Sequence, residues 1–312
     1  MLASSTLSDD YQTSRVPTTD GQAVSYREGA LATDSPRIYY VNGIRTSGIE
    51  HSLIALALSR VTERIVIGVF NRSNGAVIDL AQSLGDWIVS GQFQRAEFCG
   101  RDRLTSELCK VVEQQSKVLA LDPIRIVRQF REHLPEAELN RFIELYIGVL
   151  NPATVTLFRE LQAHRHQRQI IIAHSQGNLV TCNALAALDL VFGETALSQI
   201  RVLSLASPVA AWPSAIRPQR KDYGFYNDLV TFADPESWWW FARRLVGNQQ
   251  RRAGDWRSWG DGSLGIDMHG IDKHLECLAV ANDLRRTLSL PNLEAGRSHF
   301  GVNPAICPKP AR

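Results

Sequence analysis

Short, continuously apolar segments constrain the fold of this chain more than any other feature of its sequence. They are rich in β-branched residues, as strands are, and they lie at Arg37 to Val41, Ile65 to Phe70, Gln169 to Ala173, Arg201 to Leu205 and Tyr223 to Phe232. Most of them lack the polar alternation of a sheet with one wet face, and such runs are typical of parallel strands covered on both faces. The segments therefore predict a parallel sheet between two layers.

Longer segments with helical spacing of apolar residues separate these strands. They are Val77 to Val89, Leu104 to Leu119, Ile124 to His133, Glu136 to Leu150, Pro152 to His164, Asn178 to Leu190 and Ile271 to Leu288. The alternation of strand and helix predicts an α/β fold with a doubly wound, mostly parallel sheet. In such folds ligands bind at the carboxyl ends of the strands.

The spacing of the strands indicates how the chain is divided. The connection between the second and third strands is far longer than one crossover helix needs, so we expect a helical insertion at about 75–168. We expect the main domain to span 36–290. Residues 1–35 are predicted as an N-terminal extension and residues 291–312 as a Pro-rich tail.

Composition excludes several classes of protein. The chain has 34 Lys and Arg against 32 Asp and Glu, a net charge of +2, which does not favour a nucleic-acid partner. Its five cysteines are scattered and form no CxxC pair, and no motif for a metal, a nucleotide phosphate or a dinucleotide is present, so we expect no metal and no cofactor. The N-terminal residues do not resemble a signal peptide, and we expect a cytoplasmic protein.

The most specific motif is Gln169 to Asn178, QIIIAHSQGN, in which a strand runs into Ala173-His174-Ser175-Gln176-Gly177 and then into a helix. It resembles the nucleophile elbow G-x-S-x-G of the α/β-hydrolase superfamily, with Ala173 in place of the first Gly. The resemblance implies an α/β-hydrolase-like fold with Ser175 as the nucleophile. The alternative is a serine that only caps the following helix.

A second segment supports this resemblance. In IYYVNGIRTS, Asn42-Gly43 follows a strand where many α/β-hydrolases carry His-Gly in the loop that supplies half of the oxyanion hole. By resemblance, the backbone N–H groups of Ile44 and Gln176 would hold the oxyanion. Asn-Gly is also a common turn dipeptide, so a plain turn is the alternative.

The resemblance implies a base and an acid that follow the serine in the order Ser, acid, His. His269 lies in a Gly-flanked loop before the final helix, where the superfamily keeps its base. His274 shares an apolar helical stripe and His299 lies in the tail, so both are weaker candidates.

For the acid, Asp228 in YNDLVTF resembles the Asp-hydrophobic-Val-Pro segment of many lipases, with Thr231 where Pro is usual. Asp234 is the nearest rival, but it is better explained as the N-cap of the helix that follows it.

That helix contains three consecutive tryptophans, Trp238, Trp239 and Trp240, which cannot share one face. Four uses of the cluster remain open: an acyl pocket, a partner surface, a peripheral membrane contact and simple packing.

Taken together, the motifs resemble the lipase and serine-esterase branch of the superfamily. They imply a hydrolase that cleaves a small-molecule ester or thioester with an apolar acyl group through Ser175, His269 and Asp228. One alternative is a catalytically silent module that binds an acyl ligand, a membrane surface or a protein through the Trp-rich helix. Another is acyl transfer to an alcohol or amine acceptor, which would use the same residues. The oligomeric state does not follow from the sequence.

Overall fold

The computed structural model of this chain describes residues 16–27, 33–44, 46–72, 135–148, 151–207, 209, 212–225, 256–258, 271 and 278–291. Within them lies one seven-stranded sheet, whose strands are β1 (Ala23–Tyr26), β2 (Thr33–Val41), β3 (Arg64–Val69), β4 (Gln169–His174), β5 (Ile200–Leu205), β6 (Arg220–Phe225) and β7 (Trp256–Ser258). The strand order is β1-β3-β2-β4-β5-β6-β7. Only β1, at one edge, is antiparallel to its neighbour.

The pairing of β2 with β4 lies near the middle of the sheet. Arg37 pairs with Gln169 at one end, and Val41 pairs with Ala173 at the other. Because both strands run in the same direction and stop at the same level, the loop after β2 and the turn after β4 emerge side by side. This register places the Asn42-Gly43 loop next to Ser175.

Five helices surround the sheet in the described part of the chain. They are α1 (Gly48–Thr62), α2 (Glu136–Gly148), α3 (Pro152–Ala163), α4 (Gly177–Phe192) and α5 (Leu278–Thr287), with short 3-10 segments at Glu194–Leu197 and Ser214–Gln219. None of these helices is long and apolar enough to cross a bilayer.

Local interactions explain where α1 begins and ends. The Ser47 hydroxyl accepts the N–H of Glu50 at 3.2 Å, and the Glu50 carboxylate accepts the N–H of Ser47 at 2.7 Å, which together form a capping box. At the other end Glu63 adopts a left-handed conformation with φ of 53° and terminates the helix.

The sheet is buried on both faces. On one face, side chains such as Tyr39, Val41 and Ala173 pack against α2, α3 and α4. On the other, Ile38 and Tyr40 belong to a second cluster that includes residues of α1 and α5. Consecutive side chains of a strand point to opposite faces, so a strand covered on both sides has a nearly continuous apolar run.

The predicted mostly parallel sheet with helices on both faces is confirmed. The strands expected from the five apolar segments are all present, although β6 begins at Arg220 rather than Tyr223, and residues 226–232 of that segment lie outside the described residues. Of the predicted insertion, the structure describes α2, α3 and the residues beside them, and these helices pack on the sheet's α4 face.

Besides the two 3-10 segments, one helix and two strands were not expected from the sequence. Helix α1 begins with the S-x-x-E signature at Ser47, which could have revealed it. Strand β1 lies within the segment predicted as an N-terminal extension, and its Tyr26 is fully buried. Strand β7 has only three residues, too few for a recognisable pattern.

Candidate functional site

The order of the strands reverses between β2 and β4. The chain leaves β2 through α1 to reach β3 on one side, and it leaves β4 through α4 to reach β5 on the other. Since α1 and α4 cover opposite faces, the carboxyl ends of β2 and β4 form the topological switch point, where ligands of open α/β sheets bind.

Ser175 occupies this point in an unusual backbone conformation. It lies between the last residue of β4 and the first turn of α4 with φ of 54°, a left-handed value that residues with a Cβ atom rarely adopt. Such a conformation costs on the order of 1–3 kcal/mol and persists only where the surroundings enforce it.

The surroundings that enforce this turn are backbone hydrogen bonds to β5 and α4. The Ser175 N–H donates to the carbonyl of Leu205 at 3.0 Å, and the Ser175 carbonyl accepts the N–H of Asn178 at 2.9 Å. The Asn178 side chain adds two further bonds, to the carbonyls of Ser175 (3.0 Å) and Leu205 (2.9 Å). The turn is therefore locked to the neighbouring strand.

Close backbone approach explains why small residues flank the serine. A Cβ atom on Gly177 would lie 2.4 Å from the Val41 carbonyl oxygen and 2.8 Å from that of Asn42. Ala173 is fully buried in the sheet opposite Val41. The close approach therefore explains the glycine at position 177.

The loop after β2 lies directly against the serine. A Cβ atom on Gly43 would lie 2.6 Å from the Ser175 Cβ and 3.1 Å from its Oγ. Ser175 itself is only 3% exposed. The structure thus brings the Asn42-Gly43 loop directly against the serine turn.

Two backbone donors flank the serine. Ile44 follows Gly43 in this loop, and Gln176 precedes α4. In the part of the chain that the structure describes, neither the Ile44 N–H nor the Gln176 N–H donates a hydrogen bond.

A buried amide network continues from this loop. Asn42 donates from Nδ2 to the carbonyls of Gly43 (2.9 Å) and Asn71 (2.7 Å), and its Oδ1 accepts the Asn71 N–H (2.9 Å). Asn71 in turn donates from Nδ2 to Gln176 Oε1 at 2.9 Å, and its Oδ1 accepts Nδ2 of Asn151 at 3.0 Å. The network connects the ends of β2 and β3 to the starts of α3 and α4.

His51 closes the network on the α1 side. Its Nδ1 lies 2.8 Å from Asn42 Oδ1, and since that oxygen can only accept, Nδ1 carries the proton. The imidazole stacks on Tyr40 with ring centroids 5.0 Å apart and contacts the rings of Tyr26 and Phe70 by their edges. Burial in this aromatic cage lowers the pKa of His51 from 6.5 to about 3, so the side chain is neutral at physiological pH.

The remaining predicted site residues lie outside the described residues. These are Asp228, His269 and the three tryptophans Trp238, Trp239 and Trp240. Within the described ranges, no three His, Cys, Asp or Glu side chains come close enough together to hold a metal ion.

Sequence reasoning missed the roles of His51, Asn71 and Asn151 in this network. A signal was present for Asn71, because it follows the apolar run of β3 as Asn42 follows β2, and polar residues at those positions of neighbouring parallel strands meet at one edge. His51 and Asn151 carried no comparable signal, since their positions depend on how α1 and α3 pack.

Among the residues that the structure describes, the arrangement places Ser175 against the loop that leads to Ile44, and neither the Ile44 N–H nor the Gln176 N–H there donates a hydrogen bond. No protein-family model, curated protein or solved structure significantly matches this chain.

Proposed function

We propose that this protein is a serine hydrolase of the α/β-hydrolase type, with Ser175 as its nucleophile. The observation that carries the proposal is the left-handed conformation of Ser175 at the switch point of a parallel sheet. A plain helix cap has an extended conformation and bonds its side chain to the helix, whereas α4 has no side-chain cap and Ser175 lies one residue before its N-cap, Gln176. A strained serine between strand and helix is the defining geometry of a nucleophile elbow.

The second support is the position of the loop after β2. Stabilisation of a tetrahedral intermediate needs donors that converge near the nucleophile, and removing one such donor typically costs about 3–4 kcal/mol. The close approach of Gly43 to Ser175 brings the Ile44 segment to the turn that contains Gln176. We assign the N–H groups of Ile44 and Gln176 to the oxyanion hole.

In the proposed reaction, Ser175 Oγ attacks an acyl carbonyl while His269 accepts its proton, and Asp228 holds the imidazole in the required tautomer. The C–O or C–S bond of the substrate then breaks, and His269 returns the proton to the leaving group. Water, deprotonated by the same histidine, attacks the acyl-enzyme, releases the carboxylic acid and restores Ser175. No cofactor enters these steps.

The proposed substrate is an ester or thioester with an apolar acyl group. This choice follows the resemblance to the lipase and serine-esterase branch, and the Trp-rich segment from Trp238 to Trp240 would supply apolar surface for the acyl chain. The sheet and elbow alone would serve other acyl-transfer chemistry as well.

A fluorophosphonate probe tests the proposal, because it reacts with activated serines. We expect the purified protein to be labelled on the peptide that carries Ser175, and Ser175→Ala to lose the label. Ser207→Ala is a matched control, since Ser207 is also buried and follows a strand at the same edge of the sheet. Labelling on a different peptide would exclude Ser175 as the nucleophile. Absence of labelling in the folded protein would instead favour a silent module that binds through the Trp-rich segment.

A further inference from the structure

Two asparagines lie between the two loops of the candidate oxyanion hole. Asn42 directly follows β2, and Asn71 lies two residues beyond the end of β3. Both are almost fully buried, so their hydrogen bonds do not compete with water. Neither residue is assigned a part in the reaction proposed above.

We propose that Asn42 and Asn71 form a positioning pair that fixes the orientation of both oxyanion donors. The inference rests on the proposed hydrolase function and adds the residues that hold its geometry. It concerns position only, because neither side chain need touch the substrate.

Asn42 acts on the first donor through a single peptide unit. Its Nδ2 donates to the Gly43 carbonyl at 2.9 Å. That carbonyl and the N–H of Ile44 belong to the same planar trans peptide, in which C=O and N–H point in opposite directions. By holding the carbonyl turned toward its own side chain, Asn42 aims the Ile44 N–H the other way.

Asn71 acts on the second donor and connects it to the first. Its side chain donates to Gln176 Oε1 at 2.9 Å, which ties the residue after the nucleophile to the end of β3. Its backbone N–H and carbonyl are both bonded to the Asn42 side chain, at 2.9 and 2.7 Å. Through these bonds the peptide that carries the Ile44 N–H and the side chain of Gln176 are both connected to Asn71.

The amide chemistry of the pair suits this purpose. Amides hold geometry through directional bonds in which both the donor and the acceptor are neutral, so they add no charge beside the developing oxyanion. Misplacement of a catalytic group by about 1 Å can cost on the order of a hundredfold in rate, so a modest loosening of the network should be measurable.

Asn71→Ala is the selective test, because it removes the bonds to Gln176 and Asn151 but keeps both backbone bonds to Asn42. We expect the limiting rate of phosphonylation of Ser175 at saturating probe to fall by about tenfold or more. The probe concentration for half-maximal rate should change much less, because probe binding in the ground state does not need the aligned donors.

Asn151→Ser is the matched control. It breaks the outermost bond of the same network while retaining a hydroxyl that can cap α3 in place of the asparagine. We expect this variant to keep the wild-type limiting rate. A merely structural role for the network would lower the rate in both variants alike and would overturn the proposal.

A double-variant cycle isolates the path through Gln176. Gln176→Met removes the side-chain acceptor but keeps the backbone N–H, so Asn71→Ala added to it should lower the rate by less than about threefold further.

If Asn71→Ala does not fold, Asn71→Ser, whose hydroxyl is too short to replace the amide, takes its place. Unchanged rates in the Asn71 variant of a protein that labels at Ser175 would overturn the positioning role and leave the hydrolase proposal standing. A wild-type protein that does not label at Ser175 would overturn both.

Discussion

A Cβ atom on Gly43 would lie 2.6 Å from the Cβ of Ser175, well inside van der Waals contact. The loop after β2 and the turn after β4 are therefore fitted to each other at these two residues. Because the two residues approach so closely, the unfolding free energy lost by a substitution at one of them should depend on which residue occupies the other. This coupling can be measured.

Gly43→Ala should destabilise the wild-type protein by about 1–3 kcal/mol, because the added methyl group has no space beside Ser175. In a Ser175→Gly background, the two Ser175 atoms are absent and only His174 Nδ1 remains close, at 3.1 Å, so the cost should fall to less than half. Denaturant unfolding of the four proteins measures this coupling. Gly177→Ala is the control, since its methyl group would meet the Val41 carbonyl instead, and its cost should be the same in both backgrounds. Equal costs of Gly43→Ala in the two backgrounds would contradict the contact.

Ser175→Gly should be more stable than Ser175→Ala by about 1 kcal/mol, although both lack the hydroxyl. Glycine adopts φ of 54° without a steric penalty, whereas alanine keeps the Cβ atom that makes this conformation costly. The order should reverse at Ser204, which lies in strand β5, where glycine is the weaker residue. Thermal unfolding of the Gly and Ala variants at positions 175 and 204 measures both differences. If alanine is the more stable residue at both positions, Ser175 is not strained.

His269→Ala should abolish ester turnover and fluorophosphonate labelling while the circular dichroism spectrum stays that of the wild type. The reason is that Ser175 needs a general base to lose its proton. His274→Ala should retain most of the activity, because we expect His274 to pack on a helical stripe. The opposite pattern would move the base to His274 and leave the nucleophile unchanged.

The buried His51 should make the protein less stable in mild acid. Its pKa is lowered to about 3 in the folded protein but is near 6.5 in the unfolded chain, so below pH 6.5 the unfolded chain binds a proton that the folded protein refuses. Stability is therefore complete above pH 6.5 and is lost as the pH falls toward 3. Between about pH 7.5 and about pH 5 this group should remove about 2 kcal/mol of unfolding free energy.

His51→Gln tests this dependence, because glutamine does not titrate and can still donate to Asn42. Between about pH 7.5 and about pH 5, we expect the unfolding free energy of His51→Gln to fall by about 2 kcal/mol less than that of the wild type. The exposed His166→Gln is the control and should keep the wild-type dependence. A His51→Gln curve parallel to that of the wild type would show that His51 is not the group responsible.

The strands could be predicted because both faces of the sheet are covered. Tyr39 and Tyr40 point to opposite layers, so the apolar run of β2 has no polar gap and stands out from its surroundings. Helix α4 could be predicted for the same reason, because it is buried along almost its whole length and is therefore rich in apolar residues. Strand β1 could not be found in this way, because it is a short edge strand in which only Tyr26 is buried.

The candidate site could be predicted only at residues that directly follow a strand in the sequence. Ser175 and the Asn42-Gly43 loop follow strands directly, so the sequence places them at the sheet edge. The network through Asn71 and Asn151 depends on which strands become neighbours, and strand order is not encoded in any local pattern. His51 was missed for a related reason, since its cage forms only when α1 packs on β2 and β3.

The pairing of β2 with β4 also determines when the site can exist. Val41 and Ala173 are distant in the sequence, and the serine turn is locked in addition by Leu205, which lies later still. Contacts between residues so distant in the sequence form slowly, because a long stretch of chain must be ordered before the contacts stabilise the fold. During synthesis, the segment through β5 must emerge before the turn can close. In a nascent or partly folded chain, Ser175 would therefore not be held in its left-handed conformation.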